Sequence, residues 1–455
     1  MAATSAGGNG VGAVTGRRLV QVGLASAVGS CLEWYDFFIY GNASAIVFAK
    51  LFFPTFDPVV GTLLSFATFG VGFFARPFGG LVFGHFGDRI GRRTVLVITL
   101  LLVGGGTFLI GVLPTYAAVG LAAPALLVFL RLVQGFGAGA EYSGAVIYAV
   151  EHAPPGRRGW FGSWSPMGVA AGQLIAAGVL ALLAMLPQDA FLSWGWRVPF
   201  LVSLVLIGVG LWIRLRLMET PVFQAVRRQR AVLRTPIKEA LVRHPKSFLV
   251  VLGARMAENG LGYLFPTWGL SYLTLQLGFS KAVALDAVTI ATVAELVMVP
   301  VWSVLSDRVG RRAVYGGAAA FCVAFAFPFF LLLSTRSTPV VVFAMAVALG
   351  VGVAGMFGPQ AAFFAELFGP RTRYSGFAFA RELGSIISGG PAPTVASLLV
   401  LWFAGAPWGV ACYIVLLAGI TTAAVFWAPE THRVDIAAED PEREAAAPAV
   451  RPAVS

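Results

Sequence analysis

Charge is scarce in this chain. Asp, Glu, Lys and Arg make up 12% of its 455 residues, while 58% are hydrophobic and the mean hydropathy is +0.82. Soluble domains carry about 25% charged residues. A water-soluble fold cannot hide so much apolar surface, so the composition indicates a polytopic membrane protein. One span needs ~20 apolar residues. Cysteine is also rare: Cys31, Cys322 and Cys412 each sit inside an apolar run, with no metal-ligand spacing. They read as small buried hydrophobes. No H-E-x-x-H or G-x-S-x-G pattern occurs, so neither an intramembrane enzyme nor a metal or cofactor is expected. Residues 1–18 are Ala/Gly/Ser-rich and are expected to be a disordered cytoplasmic N-terminus. The apolar run after Arg17-Arg18 has no early A-x-A site, which indicates a retained first span rather than a cleaved signal.

What is present is a basic, glycine-rich turn used twice. Gly84-His85-Phe86-Gly87-Asp88-Arg89-Ile90-Gly91-Arg92-Arg93 returns in shortened form as Ser306-Asp307-Arg308-Val309-Gly310-Arg311-Arg312. Both copies read D-R-x-G-R-R between apolar runs, with Asp88 and Asp307 219 residues apart. Glu151 with Pro155 and Arg157 is echoed by Glu366 with Pro370 and Arg371. Twelve spans are expected, at about 19–50, 58–83, 93–113, 116–150, 160–186, 194–217, 247–276, 283–305, 313–334, 338–366, 375–404 and 407–428. The reading is an all-α membrane protein with twelve transmembrane helices in two six-helix repeats. Its parts are a first half at 19–217, a cytoplasmic connector at 218–246, a second half at 247–428 and a cytoplasmic tail at 429–455. The tail lacks apolar heptads, so no coiled coil is expected.

The net charge of +11 is placed asymmetrically. With both termini inside, 24 of the 32 Lys and Arg residues face the cytoplasm, four face outward, and Arg76, Arg131, Arg255 and Arg381 fall within spans. The positive charge is therefore topology bias in a plasma-membrane protein rather than a nucleic-acid footprint.

The turns offer specific chemistry. Glycine at Gly84, Gly91 and Gly310 permits a tight reversal. Asp88 and Asp307 can accept backbone amides at a helix start or pair with a nearby arginine, among them Arg89, Arg92, Arg308 and Arg311. Such contacts could lock one access state. The alternative is a merely basic turn, which the second copy disfavours.

These turns resemble the loop 2–3 signature of the major facilitator superfamily, whose fold the resemblance implies. Arg131-Leu-Val-Gln134-Gly135-Phe-Gly137-Ala-Gly139 resembles that superfamily's span-4 motif. Glu219-Thr-Pro221 and Pro429-Glu430-Thr-His-Arg433 resemble the ends of spans 6 and 12 in its sugar-porter-like branches. Glu33-Trp34-Tyr35-Asp36-Phe37-Phe38-Ile39-Tyr40-Gly41 and Gly139-Ala140-Glu141-Tyr142-Ser143-Gly144-Ala145 are similar to the metabolite:proton symporter family, with carriers for shikimate, 2-oxoglutarate, citrate, and proline or glycine betaine. Ala254-Arg255-Met-Ala-Glu258-Asn259 and the run from Gly358 to Phe368 look closest to its shikimate-carrier-like branch. Ser165-Pro166-Met167-Gly168 does not fit the span-5 motif of efflux antiporters.

An intramembrane charge costs ~2.5–3.5 kcal/mol even on lenient scales, so each is a functional hypothesis. Glu33 and Asp36 share a helical face. In sugar-porter relatives a span-1 aspartate and the span-4 arginine form a proton-coupling pair, and the resemblance assigns those positions to Asp36 and Arg131. Glu33 is the second candidate carrier. The alternative is a static ion pair that fixes helix packing. Glu141 is either a further proton site or a partner for a turn arginine. Arg255 and Glu258 share a face of span 7, and Arg381-Glu382 lie in span 11; each pair can be self-compensating. An arginine facing a cavity also suits a carboxylate, which makes Arg255 the substrate-anion candidate. Glu258, Asn259, Gln134, Tyr35, Tyr263 and Gln360 are the further substrate-binding candidates.

The expected function is proton-coupled import of a small polar metabolite by alternating access, an organic acid such as shikimate or a dicarboxylate. The expected partners are that solute, protons and the lipid bilayer, with the protein a monomer. Two alternatives stand beside this: a proline/glycine betaine symporter, disfavoured by the plain tail, and a non-transporting membrane sensor.

Overall fold

A computed structural model describes residues 16–90, 92–139, 142–151, 153–154, 156–216, 241–242, 244–369 and 372–436. The connector expected at 218–246 falls largely outside these residues, as does the tail beyond Ile436. Among the described residues every regular element is a helix.

Span 1 runs as Gly16–Ala43, Ser44–Phe48 and Ala49–Phe52, the middle piece a turn of π-helix. Span 2 is Pro58–Ile90 and span 3 is Arg92–Val112. Span 4 comprises Ala122–Ala138 and Tyr142–Glu151, span 5 Arg158–Gly162 and Trp164–Ala184, and span 6 Val198–Arg216. Span 7 joins Pro245–Tyr263, a π turn at Leu264–Trp268, and Gly269–Leu275. Spans 8 and 9 are Lys281–Val309 and Arg311–Ser334. Span 10 is Thr338–Val347, a π turn at Ala348–Val353, and Ala354–Glu366. Span 11 is Arg373–Gly384, a π turn at Ser385–Gly389, and Ala392–Trp402; span 12 is Trp408–Trp427.

Eight helices among the described residues are long and apolar enough to cross a membrane, with Val97–Val112 and Ala122–Ala138 as shorter apolar helices. The helices of spans 1 and 7 are not among the eight. They carry Glu33 and Asp36, and Arg255, Glu258 and Asn259, which dilute their apolar content.

The repeat is visible in the packing. Spans 1 with 5, 2 with 4 and 3 with 6 are matched by 7 with 11, 8 with 10 and 9 with 12. Across the halves, span 5 packs on span 8 and span 2 on span 11, again a matched pair. The π turns of spans 1 and 7 occupy equivalent places, and that of span 7 contains Pro266, whose missing N–H breaks the regular ladder.

Small residues set how close the helices come. A Cβ on Gly135 of span 4 would stand 1.9 Å from the carbonyl oxygen of Gly72 on span 2. One on Gly168 of span 5 would stand 2.0 Å from that of Ala27 on span 1. Both obstacles are backbone, which cannot rotate aside. Gly135→Ala is therefore expected to lose about 1–3 kcal/mol of stability through overpacking. Gly29→Ala, with nothing within 4 Å, is the neutral control. Thermal melting of the detergent-solubilised protein checks both, and an unshifted melt for Gly135→Ala would refute the packing argument.

Candidate functional site

Between the halves lies a cavity of about 30 Å³, room for about two water molecules. Trp34 and Phe38 of span 1 and Val169 and Gln173 of span 5 wall one side. Arg255, Glu258, Asn259, Gly262 and Tyr263 of span 7, Glu295 of span 8, and Val353 and Phe357 of span 10 wall the other. The rings of Trp34 and Tyr263 stack with centroids 6.4 Å apart. Asn259 fits because span 11 offers Gly389, whose Cβ would stand 1.8 Å from the amide nitrogen.

Charge around the cavity is matched locally. The Arg255 guanidinium pairs with Glu258 through Nη1, while Nε and Nη2 lie 3.4 and 3.3 Å from Ser385 Oγ. Arg381 pairs with its neighbour Glu382, and Arg76 of span 2 reaches the same carboxylate at 3.7 Å, joining the two halves. Aromatic faces cover the Arg76 and Arg381 guanidinium groups. Arg76 lies 4.1 Å from the Phe37 centroid, and Arg381 lies 3.9 Å from that of Tyr142. Arg76 and Arg381 each keep Nε and Nη2 without a hydrogen-bond partner.

A second cluster lies deeper in the first half. Arg131 is fully buried and lies 4.4 Å from both the Phe37 and Tyr40 ring centroids. Its Nη1 donates to Gln134 Oε1 at 3.1 Å, and Gln134 Nε2 donates to Thr107 Oγ1 at 2.6 Å. The Thr107 hydroxyl, which donates to the Val103 carbonyl at 3.0 Å, also lies beside the Asp36 carboxyl. Gln134 and Thr107 thus stand between Arg131 and Asp36, and no ion pair within 4 Å joins the two among the described contacts.

The second D-R-x-G-R-R turn seals one face. Asp307 accepts the Gly159 and Trp160 amides, at 2.8 and 3.0 Å, at the start of span 5 in the other half. It also pairs with Arg311 at 2.8 Å, and Arg311 pairs with Glu366 at 3.1 Å. Gly310 has φ +117°, where a side chain is strained, and a Cβ there would lie 2.6 Å from Glu430 Oε2. That vacancy lets Glu430 accept the Arg311 and Arg312 amides at 2.8 and 3.1 Å. Burial pushes the Glu430 carboxyl up, but the Arg311, Arg312 and His432 amides outweigh it and hold it below its usual range. The strap after span 12 continues across the halves: Arg158 donates to the Val434 carbonyl at 2.7 Å. Toward the opposite face, Gly41 of span 1 meets Thr267 of span 7, and Gly70 of span 2 meets Gly390 of span 11. Contacts between the halves thus lie on both sides of the cavity, whose lining side chains are buried.

The family model described as "Sugar (and other) transporter" matches residues 22–438. The chain belongs to that transporter family, within the major facilitator superfamily. The shikimate transporter of Escherichia coli (strain K12) is 38% identical over 411 residues, covering 90% of this chain and 93% of that protein. The proline/betaine transporter of Salmonella typhimurium is 37% identical over 388 residues, covering 83% and 77%. Among solved structures, the proton:xylose symporter XylE bound to 6-bromo-6-deoxy-D-glucose aligns at TM-score 0.72 and 17% identity, over 94% of this chain and 98% of that one. The chain is thus a multi-pass membrane transporter and not an enzyme.

Within this transporter, Arg255, Glu258, Asn259 and Tyr263 share the central cavity. Tyr35 turns away and donates to the Pro199 carbonyl at 2.8 Å. Gln134 belongs to the Arg131 cluster, and Gln360 is buried beside Tyr315. Glu33 is buried on span 1 one turn from Asp36. Arg308 is exposed. Gly84 falls within the helix Pro58–Ile90. Glu141, Gly91 and the side chains of Asp88, Arg89 and Arg92 lie outside the described residues. The sequence reading did not single out Glu295 or Gln173. A lone carboxylate in the apolar run 287–302 was the signal for the first; nothing marks the second.

Asp307→Asn retains one acceptor but loses the charge that holds both amides and Arg311. Thiol labelling at Ala361→Cys, which faces Gly162 so closely that a Cβ added there would stand 3.1 Å from it, is expected to quicken roughly fivefold to tenfold in a background without the three native cysteines. An unchanged rate would remove Asp307 from the seal. A carboxylate held below its usual range contributes above that range and is lost only as pH falls through the lowered value. The Glu430 cap is therefore expected to keep the labelling rate, taken relative to that of a free cysteine at the same pH so that the thiolate fraction cancels, constant between about pH 5 and 7.5.

Proposed function

We propose that this transporter is a proton-coupled symporter that imports a small carboxylate metabolite across the plasma membrane, an organic acid such as shikimate or a dicarboxylate. The observation that carries this reading is the small cavity between the halves, lined by buried side chains, with Arg255 in its wall. A water-filled pore would need no such plug, whereas alternating access requires a site closed to both sides in turn. Arg255 offers the substrate carboxylate a guanidinium once Glu258 yields a share of it. Asp36 is the proposed proton carrier. It is buried, one of its oxygens has no hydrogen-bond partner, and Thr107 and Gln134 connect it to Arg131. Changes in water access as the halves rock would load and unload it. We place both termini and the D-R-x-G-R-R turns on the cytoplasmic side, from the Lys and Arg bias, and take the monomer as the working unit.

The aromatic walls formed by Trp34, Phe38, Tyr263 and Phe357 would also suit a quaternary ammonium. Initial-rate uptake of labelled shikimate, 2-oxoglutarate, proline and glycine betaine should therefore be compared in cells lacking their own carriers, with and without a protonophore. Protonophore-sensitive entry of an acid is the expected outcome, and entry of none of the four by a correctly inserted protein would overturn symport. Asp36→Asn is expected to abolish accumulation against a gradient while sparing exchange; undiminished accumulation would reassign the proton. Arg255→Gln is expected to raise the KM for the acid at least tenfold.

A further inference from the structure

The Arg255–Glu258 pair balances its own charge, and among the described residues Glu295 is the carboxyl group in the cavity wall with no cation paired to it. Glu295 is 4% exposed, yet its Oε2 has no hydrogen-bond partner. It lies on span 8 facing the cavity, near enough to Glu258 for their charges to interact. One turn earlier, Thr292 accepts the Gln173 amide at 3.0 Å, so spans 5 and 8 are fixed against each other beside it. A buried carboxyl oxygen left unsatisfied is costly. Water in so small a cavity can meet that need only while the site is empty. When a substrate displaces the water, the substrate must bring its own donor or lose that interaction.

We propose that Glu295 is a substrate-binding residue that accepts a hydrogen bond from an O–H or N–H donor of the substrate, across the cavity from the carboxylate held at Arg255. This rests on the symport reading above and deepens it. The substrate class becomes a carboxylate that also carries hydrogen-bond donors, and for an organic acid that donor is a hydroxyl. The same geometry rejects two kinds of solute. A donor-free zwitterion such as glycine betaine fills the aromatic walls but leaves Glu295 unsatisfied. An acid bare of hydroxyls does the same. Specificity of this kind is steep because the cost falls on the protein's own buried group.

The test needs no variant at first. In cells expressing the wild-type protein, cyclohex-1-ene-1-carboxylate, which has the ring and carboxylate of shikimate without its hydroxyls, should inhibit labelled shikimate uptake at least tenfold more weakly than unlabelled shikimate. Equal inhibition would overturn the proposal. Glu295→Gln keeps the side chain's size but makes the acceptor neutral. It should raise the KM for shikimate about tenfold and shift inhibition by the hydroxyl-free acid less than twofold, with protonophore-sensitive accumulation retained. Equal shifts for both acids would make Glu295 a general electrostatic group instead. Loss of accumulation with exchange spared would make it a proton carrier. If wild-type cells take up proline but not shikimate, the organic-acid reading fails while the donor claim stands, and Glu295→Gln must then impair proline. Uptake of glycine betaine in preference to both would overturn the donor claim as well.

Discussion

Burying ionic groups away from bulk water is the constraint on which the rest of this structure depends. Arg76, Arg131, Arg255 and Arg381 are all buried, where an uncompensated charge is costly. Three devices meet that cost. Glu258 and Glu382 pair directly with Arg255 and Arg381. Phe37, Tyr40, Phe69 and Tyr142 turn their ring faces to guanidinium groups. Gln134 and Thr107 extend the compensation to Arg131 and Asp36. Spans 1 and 7, which carry Asp36 and the Arg255–Glu258 pair, are consequently too polar to look like ordinary spans. They are held in place by the more apolar helices around them.

Close packing makes this arrangement possible. Backbone meets backbone where span 4 crosses span 2 and where span 5 crosses span 1, with no side chain between. The helices therefore have no slack at the level of the charges, and the halves move as units. The contacts between the halves add another kind: the Asp307 carboxylate on helix-start amides, ion pairs of Arg76 with Glu382, Arg158 with Glu366 and Arg373 with Glu151, and the meetings of Gly41 with Thr267 and Gly70 with Gly390. Such polar contacts are reversible. A seam held by contacts of this kind suits rocking of one half against the other.

Much of this was legible in the sequence. The spans show as apolar runs because a bilayer imposes both length and hydropathy. The duplication shows because two turns needed the same aspartate, glycine and arginines; at Asp307 and Gly310 the structure supplies the reasons, a pair of amides to hold and a φ of +117°. The placement of Arg255, Glu258, Asn259 and Tyr263 on one wall follows from helical spacing within a single span. Contacts between spans did not follow. Tyr35 shares span 1 with Asp36 but points at Pro199. Glu295 has no neighbouring motif, and only the meeting of spans 7 and 8 brings it to the cavity. The π turn at Ser44–Phe48 has no composition that announces it, whereas that at Leu264–Trp268 carries Pro266.

The strap after span 12 has a consequence for how the molecule is made. Glu430 holds the first amides of span 9, Thr431 donates to Glu366 of span 10 at 2.8 Å, and Val434 receives Arg158 of span 5. All three partners are synthesised before the strap exists. A nascent chain can thread every span into the bilayer and pack both halves while this face is still unfastened. Only when the residues after Trp427 leave the ribosome does the closure become complete, so the newly inserted protein passes through a stage in which it is folded but not yet sealed.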